Sequence, residues 1–77
     1  LTIDIDALDP SLIPQTGTPE PGGLNWYDVT NFIRMLMQHK RVVGLDLVEL
    51  SPQEGHHAAD FIAAKLIYKC IGYIASA

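Results

Sequence analysis

Val42-Val43-Gly44-Leu45-Asp46-Leu47-Val48-Glu49-Leu50 is a nearly continuous apolar run. A half-exposed strand alternates, whereas a run of this kind is expected of a parallel strand covered on both faces. Two acids, Asp46 and Glu49, interrupt it. Upstream, Val29, Phe32, Ile33, Leu36 and Met37 recur at i, i+3, i+4, i+7 and i+8 and give one apolar helical face. Asn25 is placed as the N-cap of that helix, with Asp28 at N3, and Leu24 and Val29 are spaced as a hydrophobic staple. His39, Lys40 and Arg41 suit the negative end of the helix dipole, so the helix is expected to reach about Lys40. Further upstream, Leu1-Thr2-Ile3-Asp4-Ile5-Asp6 alternates strictly between apolar and polar, the period of a strand. Downstream, Ser51-Pro52-Gln53-Glu54-Gly55 is turn-like. A helix is then expected from about His57 to Ala75, with a narrow polar stripe of Asp60, Lys65 and Lys69 and most of its surface buried. Strand, helix, strand, helix in this order is a β-α-β unit plus one further helix, the repeating piece of an open α/β sheet.

Between the first strand and the first helix, residues 6–23 hold Asp9-Pro10, Ile13-Pro14, Gly17-Thr18-Pro19-Glu20-Pro21 and the pair Gly22-Gly23. Such a stretch is irregular chain, and a loop of that length inside a compact domain is usually functional or disordered. The 77 residues carry five Lys plus Arg against nine Asp plus Glu, a formal net charge of −4, with 48% hydrophobic residues, which is a globular composition. An acidic chain lacks the basic stripe that nucleic acid or anionic lipid would require, and neither partner is expected. Lys65 and Lys69 break the longest apolar stretch, so no membrane span is expected. Cys70 stands alone in an apolar helical pattern and is read as a buried thiol in a reducing, cytoplasmic setting. Two strands cannot cover the faces of such a sheet, and a chain this short is expected to be part of a larger protein.

Asp4 and Asp6 are two apart on the expected first strand, so their side chains should share a face with Cα atoms about 6.5–7 Å apart. They lie where the strand enters the long loop, and ligands of open α/β sheets bind at the carboxyl ends of strands. Paired carboxylates there suit hard divalent cations, and a bridging carboxylate could hold two ions roughly 3.5–4 Å apart. From spacing alone, turn and cap acids at a strand end are the commoner reading, since acids are frequent where strands leave a sheet. Glu49 near the end of the second strand comes up beside Asp4 and Asp6 if the strands pair in parallel. A carboxylate in an apolar run needs a cation or a donor, whether a ligand or a structural partner. Asp46, on the opposite face by alternation, reads as a structural acid. His56 and His57 are adjacent, diverge in any regular structure and chelate poorly; they and His39 read as surface residues. Trp26 reads as a core anchor before a pocket wall. No nucleophile with a His and acid beside it and no phosphate loop is present in the sequence.

The runs Asp4-Ile5-Asp6-Ala7-Leu8-Asp9-Pro10, Gly17-Thr18-Pro19-Glu20-Pro21-Gly22-Gly23-Leu24 and Val43-Gly44-Leu45-Asp46-Leu47-Val48-Glu49-Leu50-Ser51-Pro52, in this order, closely resemble the C-terminal part of the ureohydrolase family of arginases and agmatinases. The resemblance covers essentially the whole chain. It implies that residues 1–77 are the C-terminal portion of a single domain with a three-layer α/β/α sandwich and a mostly parallel sheet. It implies a cofactor of two Mn²⁺ ions, with Asp4 bridging both and Asp6 chelating the second, and Glu49 receiving a guanidinium group. The reaction implied is hydrolysis of a guanidinium carbon to urea and an amine. Asp9 and the glycine-proline loop would shape the site. Glu20 in the Thr-Pro-Glu-Pro-Gly-Gly form is more similar to agmatinases, which makes agmatine the leading substrate and polyamine synthesis the setting; guanidinobutyrate, guanidinopropionate, proclavaminate-type substrates, guanidine and arginine are alternatives. Gln53 to Asp60 depart from the family's usual pattern there and bear on specificity. The family's remaining ligands, histidines and further aspartates, and its proton-shuttling histidine have no match among these residues, so the 77 residues alone are expected to be inactive and to require the upstream part of the same protein. Trimers or hexamers are expected by resemblance. The competing reading is a non-catalytic homologue that survives as a partner-binding module.

Overall fold

The computed structural model describes residues 1–76. Strand β1 (Thr2–Asp4) is followed by a 3₁₀ turn (Ile5–Ala7), helix α1 (Trp26–His39), strand β2 (Asp46–Val48) and helix α2 (Ala58–Ser76). The two strands pair in parallel, Thr2 opposite Asp46, Ile3 opposite Leu47 and Asp4 opposite Val48, with α1 in the crossover. The pairing is lengthened by the Asp46 amide donating to the Leu1 carbonyl at 3.0 Å and by the amino terminus donating to the Gly44 carbonyl at 3.0 Å. The expected β-α-β-α order of an α/β fold is thus the one observed.

Helix α1 starts as its sequence dictates. The Asn25 side chain accepts from the Asp28 amide at 2.8 Å and the Asp28 side chain accepts from the Asn25 amide at 3.1 Å. This reciprocal box satisfies two of the four unpaired amides of the first turn, a device worth about 1 kcal/mol. Val29, Thr30, Ile33 and Met37 form its buried stripe. Phe32, expected on that face, is 58% exposed. The stripe that meets α2 is narrower than the apolar pattern, and Phe32 falls outside it.

The core lies between the helices and the Ile3/Leu47 face of the sheet. Ile3, Ile5, Leu8 and Ile13 come from the N-terminal segment, Val29, Ile33 and Met37 from α1, and Ala59, Ala63, Leu66 and Cys70 from α2, with Leu45, Leu47 and Leu50 packed against them. The α2 contributors follow a helical spacing and include the small residues Ala59 and Ala63, which let α1 and α2 approach closely. Cys70 is buried and free, as its apolar setting implied. Two expectations of burial are corrected. Most of α2 is not covered, since Phe61, Tyr68 and Ile71 are 71, 69 and 59% exposed. Strand β2 is only three residues long and is not covered on both faces; Val43 and Val48 are exposed. An apolar run needs layers on both sides, and the described residues supply one. No helix among them is long and apolar enough to cross a membrane.

Candidate metal centre

The alternation at Leu1–Asp6 is that of a strand only as far as Asp4. There the Asp4 carboxylate accepts from the Asp6 amide at 3.1 Å and caps the 3₁₀ turn. Asp4 and Asp6 therefore do not share a strand face, as period two required; Asp4 closes β1 and Asp6 sits in the turn that leaves it. Both still lie at the carboxyl end of β1. A short polar side chain that can bond the backbone two residues on competes with the sheet ladder, and here it wins.

Residues 8–25, between the turn and α1, form no helix or strand, yet the segment is not loose. Leu8 and Ile13 are 2 and 1% exposed and anchor it in the core. The Asp9 amide donates to the Leu24 carbonyl and the Leu24 amide to the Ala7 carbonyl, each at 2.9 Å, closing the segment on itself. Within it the Asp9 carboxylate accepts from the Ser11 amide at 3.0 Å, the Ser11 hydroxyl, and the Gly22 and Gly23 amides at 3.1 and 3.2 Å. These donors, the Ser11 hydroxyl first, hold the Asp9 carboxyl below the usual carboxylate range against the opposing desolvation. Gly22 adopts φ +78°, and a Cβ on Gly23 would lie 2.7 Å from the Asp9 nitrogen, so both positions demand glycine.

Parallel register brings Glu49 to the same edge: Asp4 pairs with Val48, and Glu49 is the next residue. Glu49 has φ 74°, the left-handed region that a non-glycine residue enters at a cost. The strand has ended at Val48, so strand alternation does not fix the direction of Glu49 relative to Asp46. The expectation that Glu49 is a buried acid is corrected: it is exposed, as is Asp46. Among the described residues no Lys or Arg forms an ion pair with Asp4, Asp6 or Glu49; the ion pair present is His57 with Asp60 at 3.3 Å. Three carboxylates with no neutralising cation at one sheet edge favour a positively charged ligand.

Thr18 is the residue that sequence reasoning missed. Its hydroxyl donates to Asp6 Oδ2 at 2.7 Å across twelve residues. No local pattern announces a contact between a loop hydroxyl and a strand-end acid. Ser11, by contrast, stands two residues after Asp9, the local spacing of an Asx turn. One oxygen each of Asp4 and Asp6 is thus engaged, and the second oxygen of each remains for a ligand. Oxygen donors of this kind suit a hard divalent ion. Among the described residues no group of three or more potential metal ligands gathers. Two open cavities lie away from these acids: one of about 380 Å³ is lined by Met37, Lys40, Arg41, Val42 and Ile74, and another by Leu12, Trp26, Tyr27, Phe61, Ile62, Lys65 and Lys69.

Residues 1–72 match the Arginase family. The N(1)-aminopropylagmatine ureohydrolase of Synechocystis sp. is 55% identical over 95% of this chain and 24% of its own length. Its namesake in Thermus thermophilus is 49% identical over 94% of this chain and 24% of its own length. The crystal structure of the agmatine ureohydrolase of Thermoplasma volcanium superposes with a TM-score of 0.84 at 38% identity, covering 95% of this chain and 24% of that one. The chain spans about a quarter of the length of these relatives.

Proposed function

The chain belongs to the arginase family, and from that premise we propose that residues 1–77 are the C-terminal portion of the single domain of a ureohydrolase that cleaves a guanidino compound of the agmatine type. The observation that carries this reading is the placement of Asp4, Asp6 and Glu49 at the carboxyl end of the sheet, which follows from the Asp4–Val48 register. Asp4 and Asp6 would hold divalent cations, Mn²⁺ in this proposal. The fit is one of donor chemistry: each carboxylate keeps an oxygen not engaged by the protein. When bound, such ions supply Lewis acidity and a water nucleophile at neutral pH.

The chain's own residues do the rest by placement. Glu49, which pairs with no cation among the described residues, would receive the guanidinium through charge-assisted, fork-shaped hydrogen bonds. Its left-handed backbone fixes where the side chain leaves β2. Asp9, through Ser11, Gly22 and Gly23, shapes the loop beside the metal ligands and does no chemistry. The coordination shell would be completed by histidines and aspartates of the rest of the protein, which, in this proposal, assembles as trimers or hexamers in the cytoplasm.

Within the family, 55% identity to a relative named for N(1)-aminopropylagmatine favours that substrate beside agmatine itself. The test is urea release by the intact protein with Mn²⁺, using agmatine, N(1)-aminopropylagmatine and arginine in parallel. Urea from either agmatine compound at higher kcat/KM than from arginine is the expected outcome. Absence of urea from all three, with Mn²⁺ bound, would replace the reading by that of a non-catalytic homologue.

A further inference from the structure

Resting on the metal reading above, we propose that Thr18 is a positioning residue whose hydroxyl fixes the Asp6 carboxylate for cation binding, on a strap that is tied in turn to the chain just after Glu49. Thr18 Oγ1 donates to Asp6 Oδ2 at 2.7 Å. An aspartate in a turn at the end of a strand is otherwise free to rotate about its side-chain bonds, and immobilising it costs entropy at the moment a ligand arrives. The hydrogen bond makes that ordering part of the fold. Because the donor is a neutral hydroxyl, Asp6 keeps its charge; a Lys or Arg in the same place would compete with the cation. One oxygen is engaged and the other is left to coordinate.

Thr18 is itself held. Pro19 restricts it to extended backbone, and its β-branched side chain is stiff. Two residues earlier, Thr16 bridges to Leu50, and the Gln15 carbonyl accepts from the Ser51 amide at 2.8 Å. Residues 15–18 therefore span from the Glu49 end of β2 to Asp6, so the hydroxyl that orders the metal carboxylate is positioned by the segment that follows the substrate carboxylate. Asp4 is oriented by a backbone amide, that of Asp6; Thr18 is the side-chain handle on the pair.

The experiment compares Thr18→Val, Thr18→Ala, Thr18→Ser, Thr16→Val and Asp6→Asn in the intact protein, reading Mn²⁺ affinity by calorimetry and the thermal midpoint of the metal-free form. Thr18→Val, nearly isosteric but without the hydroxyl, should weaken Mn²⁺ binding about 10- to 100-fold, the usual cost of removing a partner of a ligating carboxylate, with the metal-free midpoint unchanged. Thr18→Ser should return affinity to within about threefold of the parent, since it restores the donor. Thr16→Val, in the same loop, should bind Mn²⁺ as the parent does. Parent-like affinity in Thr18→Val overturns the proposal. So does a fall in the metal-free midpoint that accompanies the lost affinity in both Thr18→Val and Thr18→Ala, which would assign the hydroxyl to loop folding. If Thr18→Val does not fold, Thr18→Ala against Thr18→Ser decides on the same terms. Asp6→Asn separates the two levels: unaltered Mn²⁺ binding there would sink the metal reading, and this inference with it, whereas lost binding beside a parent-like Thr18→Val would sink this inference alone.

Discussion

Asp9 gathers four donors within its own loop, so the fold favours its ionised form and its carboxyl sits below the ordinary value of 3.8. For a lowered folded-state pKa, the stabilisation is complete above the unfolded value and is lost as the pH falls through the folded one. Loop order should therefore persist through the usual carboxylate range and fail only in stronger acid. The amide resonances of Gly22 and Gly23, followed from pH 7 downward, should titrate together with Asp9 below 3.8 and not before. Asp9→Asn should disorder the loop already at pH 7. Glu49 poses the opposite case, a side chain kept despite its backbone. Left-handed geometry costs an L-residue about 1 kcal/mol that glycine does not pay. In the intact protein Glu49→Gly should leave the thermal midpoint unchanged or higher while kcat/KM for the guanidino substrate drops by at least about 100-fold, a loss equivalent to about 2.7 kcal/mol. A parallel loss of stability would instead make Glu49 a structural acid.

Elements place these residues without being long. Strands β1 and β2 pair over three residues each, and two such strands are not independently stable; the helices hold them. Leu66 on α2 is fully buried beside Ala63 and Cys70, so Leu66→Ala should cost about 2–5 kcal/mol in chemical unfolding. Phe61 on the same helix is 71% exposed here. A face carrying Phe61, Tyr68 and Ile71 is of the kind that interfaces cover. In the intact protein Phe61→Ser should therefore cost well above the roughly 0.5 kcal/mol of an open surface site, and a value within that limit would show the face to be solvent-exposed.

At the scale of the molecule, one layer of helices lies on one face of a two-stranded sheet, and Asp4, Asp6 and Glu49 stand where its strands end. Two coordinating carboxylates cannot hold a pair of divalent ions firmly, since such ions take six or more oxygens or a comparable mixed set. The isolated 77-residue chain should release no urea from agmatine or N(1)-aminopropylagmatine in the presence of Mn²⁺. Urea release by that chain would mean that its own residues complete the site.

The sequence alone determined what depends on neighbours along the chain. The Asn25–Asp28 box, the apolar spacing of α1, the turn chemistry of Asp9-Pro10 and Gly22-Gly23, and the β-α-β-α order were legible because each is set by local propensity and period. The motifs carried by Asp4, Asp6 and Glu49 were legible for the same reason, as spaced residue types. What only the tertiary structure decided depends on distant groups. The 3₁₀ turn ended β1 at Asp4 because a side chain outcompeted the ladder, and period two misplaced Asp6. The exposure of Phe32, Val43 and Phe61 followed from which layers are present, which hydropathy does not encode. The Thr18–Asp6 bond and the placement of Glu49 beside Asp4 came from strand register and loop closure, since twelve residues in the first case and a whole crossover in the second must fold back before those atoms meet.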